Sequence, residues 1–302
     1  MNLKIIGYHY IRTKSYSKFK SLNFLDKKDF IEQIKFISKN YKIISLNELL
    51  NHKKLKKENA LLTFDDGYID HYEIVFPILK KYKIPAIFFA PEKTLKQKDF
   101  LDVNKLQLIL SKFNDRKKLF KLIESDLRKI INVDYYLKLQ KKLSKDYDHR
   151  WHDNYTNIIR NFLQYLLPIK IRKKIINSYF LKTIDNDPKK LIKNFYLSFN
   201  NAKEMLSDDI CFGSHGSDHE WLEFLNYKEQ YNDILKSKNN LLNLGVKEKQ
   251  LTMCYPYGSY NKDTIKILRK LNFKYGFANK YGVVKNLDKN RFELPRVDTN
   301  EF

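Results

Sequence analysis

Ala60-Leu61-Leu62-Thr63-Phe64-Asp65-Asp66-Gly67 is the stretch on which the fold turns. Residues 60–64 are an apolar run of strand length, and it stops at two adjacent carboxylates and a glycine. Strands that end in functional groups belong to parallel α/β sheets and barrels, where the chemistry gathers on loops at one rim. The flanking sequence extends this pattern. Residues 3–10 read as a first strand. Residues 21–40 read as an amphipathic helix, with Phe24, Phe30, Ile34 and Ile37 near helical spacing. Residues 41–44 form a short strand, and Ser45 with Glu48 makes a capping box that opens a helix through Leu50. Beyond Gly67, residues 72–82 are helical and residues 85–90 form a very apolar strand.

The character then changes. Residues 94–196 hold few strand-like runs, dense charge and no glycine, with helical periodicity over 105–113, 116–131 and 156–167. They read as a helical insertion within one domain that spans 1–302. The alternation resumes with a strand at 210–213, a histidine-rich turn, a helix at 227–244 and a strand at 252–255 that ends in Pro256-Tyr257-Gly258. A helix at 262–271 and short strands complete the chain, so the fold class is α/β with a parallel sheet or barrel.

Composition sets the outer limits. The 302 residues are 43% hydrophobic and 31% charged, enough for a large buried core. No stretch approaches the roughly 18 apolar residues of a membrane span, and residues 1–20 lack a signal-peptide core, so a cytoplasmic protein is expected. Cys211 and Cys254 sit in apolar contexts and read as buried free thiols. The net charge of +23 raises a nucleic-acid partner. Nucleic-acid binding predicts clustered arginine with exposed aromatics, whereas the basic residues here are mostly dispersed lysine, so no nucleic-acid partner is expected. Peripheral contact with anionic lipid at the inner membrane surface is compatible with the lysine-rich insertion.

Three clusters carry chemistry. Asp65-Asp66 sets like charges side by side, which raises one carboxylate's proton affinity unless a cation holds both ionised. An exposed helix-capping turn would explain the pair as well. In His215-Gly216-Ser217-Asp218-His219, two histidines four apart can share one metal ion, although two unrelated loop histidines would look alike. Tyr255-Pro256-Tyr257-Gly258 follows a strand, and its Pro and Gly could aim the Tyr257 N–H at a substrate oxygen; alone it is an ordinary turn. Taken together, a carboxylate and two histidines make a facial metal set. A second carboxylate can take a proton from the attacking water, and an N–H can stabilise an oxyanion. This describes metal-assisted hydrolysis of an amide or ester.

Thr63-Phe64-Asp65-Asp66-Gly67-Tyr68 resembles the first motif of the polysaccharide deacetylase family, the NodB-homology or carbohydrate esterase 4 family. Gly213-Ser214-His215-Gly216-Ser217-Asp218-His219 with Trp221-Leu222 resembles the second motif. Tyr255-Pro256-Tyr257-Gly258-Ser259-Tyr260-Asn261 resembles the third, in the branch marked by Tyr-Pro-Tyr-Gly. Pro77-Ile78-Leu79 and Ile84-Pro85-Ala86-Ile87-Phe88-Phe89 fit the pattern around the first motif. The resemblance covers residues 3–90 and 206–302 and implies a distorted (β/α)7-type barrel. It also implies that Asp65 is the general base, that Asp66, His215 and His219 bind a divalent metal ion, often zinc, and that the Tyr257 N–H serves the oxyanion hole. The implied activity is removal of acetyl groups from N-acetylated sugars of a polysaccharide or of a glycan precursor, lipid-linked or free.

The chain departs from that pattern at three places. Gly216 stands where many members carry Ser or Thr, so a hydroxyl bond is lost or supplied by Ser217. Cys254 stands where many carry an Arg that orients the catalytic Asp, and Arg296 is the candidate substitute, with a surface Arg as the bland reading. No His follows His219, so the family's late Leu-x-His acid is absent. His9, in Gly7-Tyr8-His9-Tyr10, resembles a first-strand His of the biofilm poly-N-acetylglucosamine deacetylases and is the candidate acid or substrate contact; a satisfied strand-end histidine is the alternative. Two other functions stay open: an amidase on a small non-sugar amide, and an inactive glycan-binding relative.

Overall fold

The computed structural model describes residues 2–13, 22–51, 53, 58–143, 153–184 and 187–299. Its sheet is built from β1 (Asn2–Tyr8), β2 (Lys42–Ile43), β3 (Glu58–Asp65), β4 (Ala86–Ala90), β5 (Ile210–Ser214), β6 (Thr252–Cys254), β7 (Tyr275–Phe277) and β8 (Val297–Asp298). The order is β8-β1-β3-β4-β5-β6-β7, with β2 also paired to β3, and every pairing is parallel. Leu294 bridges Phe277 on β7, and three residues later Val297 pairs with Ile6 on β1. One short C-terminal segment thus spans the gap between the edge strands. The result is the distorted (β/α) barrel that the motif pattern implied.

Side-chain alternation divides the core in two. Leu3, Ile5, Leu61, Ile87, Phe89, Cys211, Cys254 and Phe277 pack together on one face of the sheet, inside the barrel. Ile6, Tyr8, Leu62, Phe64, Phe88, Phe212 and Met253 face the other way, onto Phe30 and Ile34 of helix Lys27–Asn40, Leu79 of helix Phe76–Tyr82, Ile234 of helix Tyr227–Leu244 and Ile267 of helix Lys262–Lys270. Both faces are covered, which is why these strands read as unbroken apolar runs. On β3 the interior parity falls on residues 61, 63 and 65, so Asp65 ends the strand pointing inward.

Gly213 shows how tightly that interior is filled. A Cβ there would lie 2.3 Å from the Phe89 ring and 2.7 Å from Thr252 Oγ1. Gly213→Ala is therefore expected to destabilise the protein by about 1–3 kcal/mol through overpacking. Chemical denaturation checks this, with a lower midpoint at unchanged m-value.

Several elements differ in detail from the sequence reading. The first helix starts at Lys27, because the Asp26 side chain caps it by accepting the Lys28 N–H at 2.9 Å. The expected start at Ser21 lies outside the described residues. Residues His71–Val75 form a π-turn ahead of the α-helix Phe76–Tyr82. Pro77 has no N–H to donate, and its ring crowds the carbonyl four residues back, so the backbone widens just before it. The Ser45–Glu48 capping box forms with both of its hydrogen bonds.

The chain separates into two compact units, and Phe100–Pro188 makes up most of the second. This unit contains the helices Asp102–Lys112, Arg116–Arg128, Val133–Leu143, Asn154–Arg160 and Ile169–Thr183. Its interior is apolar, with Leu119, Ile123, Leu127, Tyr136, Phe162 and Ile176 all buried. Residues 94–99 and 189–196 fall in the sheet-bearing unit. Among the described residues no helix is long and apolar enough to cross a membrane.

Candidate metal centre and active site

At the C-terminal end of β3 the backbone reverses sharply. Asp66 has φ 73° and Gly67 φ 70°. His219 (φ 59°) and Tyr257 (φ 57°) are also left-handed, so one non-glycine residue from each of the three motifs is in this state. The αL region costs a non-glycine residue on the order of 1–2 kcal/mol, and it persists where surrounding contacts enforce it. Here the turns send consecutive side chains in opposite directions. Asp65 points into the barrel and Asp66 faces the histidine loop.

Asp65 is 1% exposed and is gripped from below. Arg296 Nη1 donates to its Oδ1 at 2.9 Å, and Arg296 Nη2 lies 2.8 Å from its Oδ2. This two-pronged pairing is the strongest form of charge-assisted contact. Arg296 is itself buried, on the segment that closes the barrel. The Cys254 thiol donates weakly to Asp65 Oδ2 at 3.6 Å, and His9 Nε2 lies 3.8 Å from the same oxygen. Burial is the largest single influence and pushes the Asp65 carboxyl up, but Arg296, His215 and His9 together outweigh it, and the net result is a value of about 2. Asp65 is thus ionised at any working pH. Burial raises the Cys254 thiol, which keeps it protonated as a donor.

Asp66 Oδ1 is the meeting point of the histidine loop. His219 Nε2 lies 3.2 Å from it and His215 Nε2 3.5 Å. Four-coordinate zinc with bonds of about 2.0–2.1 Å places its ligand atoms about 3.3–3.4 Å apart. The observed spacings straddle that value, at and beyond the long end of the N–H···O hydrogen-bond range. His215 Nδ1 lies 2.8 Å from the Cys254 carbonyl, to which it donates, so Nε2, which faces Asp66 Oδ1, is the nitrogen a metal ion would take. His219 Nδ1 is buried without a hydrogen-bond partner, an arrangement that favours neutral imidazole, the form a metal binds. Asp66 is likewise held well below the carboxylate range: burial opposes ionisation, and the two histidines outweigh it. The donor set of two imidazoles and one carboxylate oxygen therefore fits a catalytic divalent ion with one side open. A second cluster, Asp65, His215 and Cys254, is also close enough to hold an ion. Its Asp65 is committed to Arg296 and its His215 Nδ1 to a carbonyl, so the Asp66 set is the better one.

The third motif folds as a tight turn, Pro256–Gly258, with left-handed Tyr257 at its centre. The Tyr257 ring stacks on Trp221 at 4.6 Å and meets His219 edge-on at 4.6 Å. The turn therefore borders the same histidine. His9 sits at the rim with its side chain 51% exposed, and its backbone carbonyl takes a hydrogen bond from His71 Nε2 at 2.9 Å.

All seven candidate residues converge at this rim. Sequence reasoning missed some of their supports. Tyr68 Oη donates to Asp66 Oδ2 at 2.5 Å; its place in the first motif was visible but gave no hint of a role. The Cys254 contact with Asp65 was hidden because its neighbours in sequence are apolar. At Gly216, where a hydroxyl bond was expected to be lost or supplied by Ser217, the Ser217 Oγ donates to buried Glu92 Oε2 at 2.7 Å. Because Tyr68 fixes the ligand carboxylate, Tyr68→Phe should weaken metal affinity about 10–100-fold, measurable by competition with a chromophoric chelator.

Known proteins place this geometry in context. Residues 52–125 and 150–276 match the sequence profile of the family described as polysaccharide deacetylase. The poly-beta-1,6-N-acetyl-D-glucosamine N-deacetylase of Staphylococcus aureus (strain MRSA252) is 23% identical over 272 residues, which is 89% of this chain and 65% of that protein. Bacillus subtilis YxkH is 36% identical over 104 residues, 33% of this chain and 35% of its own length. The matched region thus spans less than two thirds of either relative. Among solved structures, the Streptococcus pyogenes deacetylase PplD, determined with acetate, superposes with a TM-score of 0.61 at 19% identity, covering 99% of this chain and 92% of that one. IcaB from Ammonifex degensii gives a TM-score of 0.58 at 17% identity, covering 99% and 93%. These likenesses concern the fold. The profile match over most of the chain settles the family, and the three motifs lie where the barrel brings them together: this chain belongs to the polysaccharide deacetylase family.

Proposed function

We propose that the protein is a metal-dependent deacetylase that removes acetyl groups from N-acetylated sugars of a polysaccharide or glycan precursor, in the branch with a Tyr-Pro-Tyr-Gly third motif. One observation carries the reading. Asp66 Oδ1 and the Nε2 atoms of His215 and His219 converge beside a second carboxylate that Arg296 holds ionised. When bound there, a divalent ion, with zinc favoured by the mixed nitrogen and oxygen donors, supplies a lowered water pKa and polarisation of the acetyl carbonyl.

The chain's own residues do the rest. Asp65 takes the proton of the attacking water. With a pKa near 2 it is a weak base, always ready but dependent on an acidified water. Arg296 keeps its two oxygens in place. The Tyr257 N–H, on a left-handed turn against His219, stabilises the oxyanion of the tetrahedral intermediate. His9, exposed and 3.8 Å from Asp65, either protonates the leaving amine or contacts the sugar. The sugar reading is supported by the staphylococcal relative, which acts on poly-beta-1,6-N-acetyl-D-glucosamine by its name. The test is acetate release from N-acetylglucosamine oligomers compared with a small non-sugar amide such as acetamide. Preference for the oligomer by kcat/KM supports the proposal. Equal or better turnover of the small amide would replace it with a general amidase.

A further inference from the structure

The loop between the two histidines has an unusual need. Gly216 (φ 71°) and His219 (φ 59°) turn its peptide groups away from any strand partner. The Gly216 N–H is taken by Ser214 Oγ at 3.2 Å, and four further groups find partners on two neighbouring helices. From helix Tyr227–Leu244, Asp233 Oδ2 accepts the Ser217 N–H at 2.9 Å and Asp233 Oδ1 accepts the Asp218 N–H at 3.0 Å. From the start of helix Glu92–Leu95, the Glu92 N–H donates to the Gly216 carbonyl at 3.3 Å and the Lys93 N–H to the Ser217 carbonyl at 3.0 Å. Glu92 Oε2 also accepts the Ser217 hydroxyl, while its carboxylate is neutralised by Lys96, Lys98 and Lys236.

Gly216 belongs to the same arrangement. A Cβ at this position would lie 2.9 Å from Asp233 Oδ2. The carboxylate occupies the space that a side chain at position 216 would need. It can bind two consecutive N–H groups only because that side chain is absent.

We infer that Asp233 is a positioning residue for the metal centre, setting the spacing of His215 and His219 through the peptide groups between them, with Glu92 holding the opposite side of the loop. The inference rests on the proposed metal-dependent reading. Ligand positions matter here to within about 0.2 Å, and one carboxylate spanning two N–H groups is a rigid way to set them. An asparagine has one oxygen to accept an N–H, and its amide NH2 would face the other N–H donor to donor.

The test is cobalt(II) titration of the apo protein, followed by visible absorption, for wild type, Asp233→Asn and Gln230→Ala. Gln230 lies on the same helix, is fully buried and bonds to Leu225 and Thr264, away from the loop. Its loss destabilises the helix without touching the histidines. Asp233→Asn is expected to lose about 10–100-fold in cobalt affinity and to change the intensity of the d–d bands. Gln230→Ala should bind cobalt as wild type does, even where its melting temperature falls as far. Should Asp233→Asn not fold, Gly216→Ala displaces the same carboxylate and should give the same loss. Equal affinity and spectra in Asp233→Asn and Gln230→Ala would overturn the positioning role while leaving the metal reading intact. Absence of cobalt binding by wild type would overturn both.

Discussion

Asp65→Asn is expected to lose turnover about 10²–10⁴-fold while retaining a full equivalent of metal. The size follows from what general-base catalysis contributes when the acceptor is removed. Retention follows from the geometry, since Asp65 is committed to Arg296 and the proposed donor atoms are those of Asp66, His215 and His219. Asparagine keeps the shape and one acceptor oxygen, so the site should stay folded, although Arg296 loses its counter-charge and stability should fall. The measurement pairs steady-state deacetylation with metal content by elemental analysis on the same preparation. Loss of metal together with activity would make Asp65 a ligand rather than a base. Retention of both would remove it from the chemistry.

Arg296→Met should act through Asp65 and carry the largest stability cost. It leaves a carboxylate that is 1% exposed without its cation, and breaking a buried pair in this way costs about 3–5 kcal/mol. The sign of the pH dependence follows from the pKa shift. In the wild type Asp65 lies at about 2, below the ordinary value of 3.8, so the pair's stabilisation is present above pH 4 and is lost as pH falls toward 2. Without Arg296, the burial that already pushes the carboxyl upward is opposed only by His215 and His9. The pKa then rises, and the acid limb of the kcat/KM profile should move up by about 1–3 pH units. The stability deficit should shrink as pH falls, because the protonated carboxyl no longer needs a cation. Arg296→Lys restores the charge but not the two-pronged geometry, and should fall between the two. A profile unchanged from wild type would mean that Arg296 does not govern Asp65.

The sequence made the barrel legible because its strands are buried on both faces and its helices carry clear periodicity. Helix Tyr227–Leu244 falls where the pattern placed it, with Asn226 as cap and Gly245 at its end. Short strands and irregular turns were harder to see. The π-turn at His71–Val75 has no hydrophobic period of its own, and β8 is two residues long, visible only through its pairing with β1. The candidate metal set was legible because histidines are rare in this chain and two of them share one strand-end turn. Arg296 was found only as a substitute for the arginine absent at Cys254. Asp233 and Glu92 could not be seen at all. They lie 125 residues or fewer from Ser217 in sequence, on separate helices, and only the packed barrel brings their carboxylates to one loop.

The most direct test of the metal-centred account is acetate release from N-acetylglucosamine oligomers by protein stripped with chelator and then reloaded with one equivalent of zinc, beside His215→Ala treated identically. The account predicts no release from stripped protein, recovery on reloading, and no recovery in His215→Ala. Equal release from stripped and reloaded protein, or full activity in His215→Ala, would contradict it.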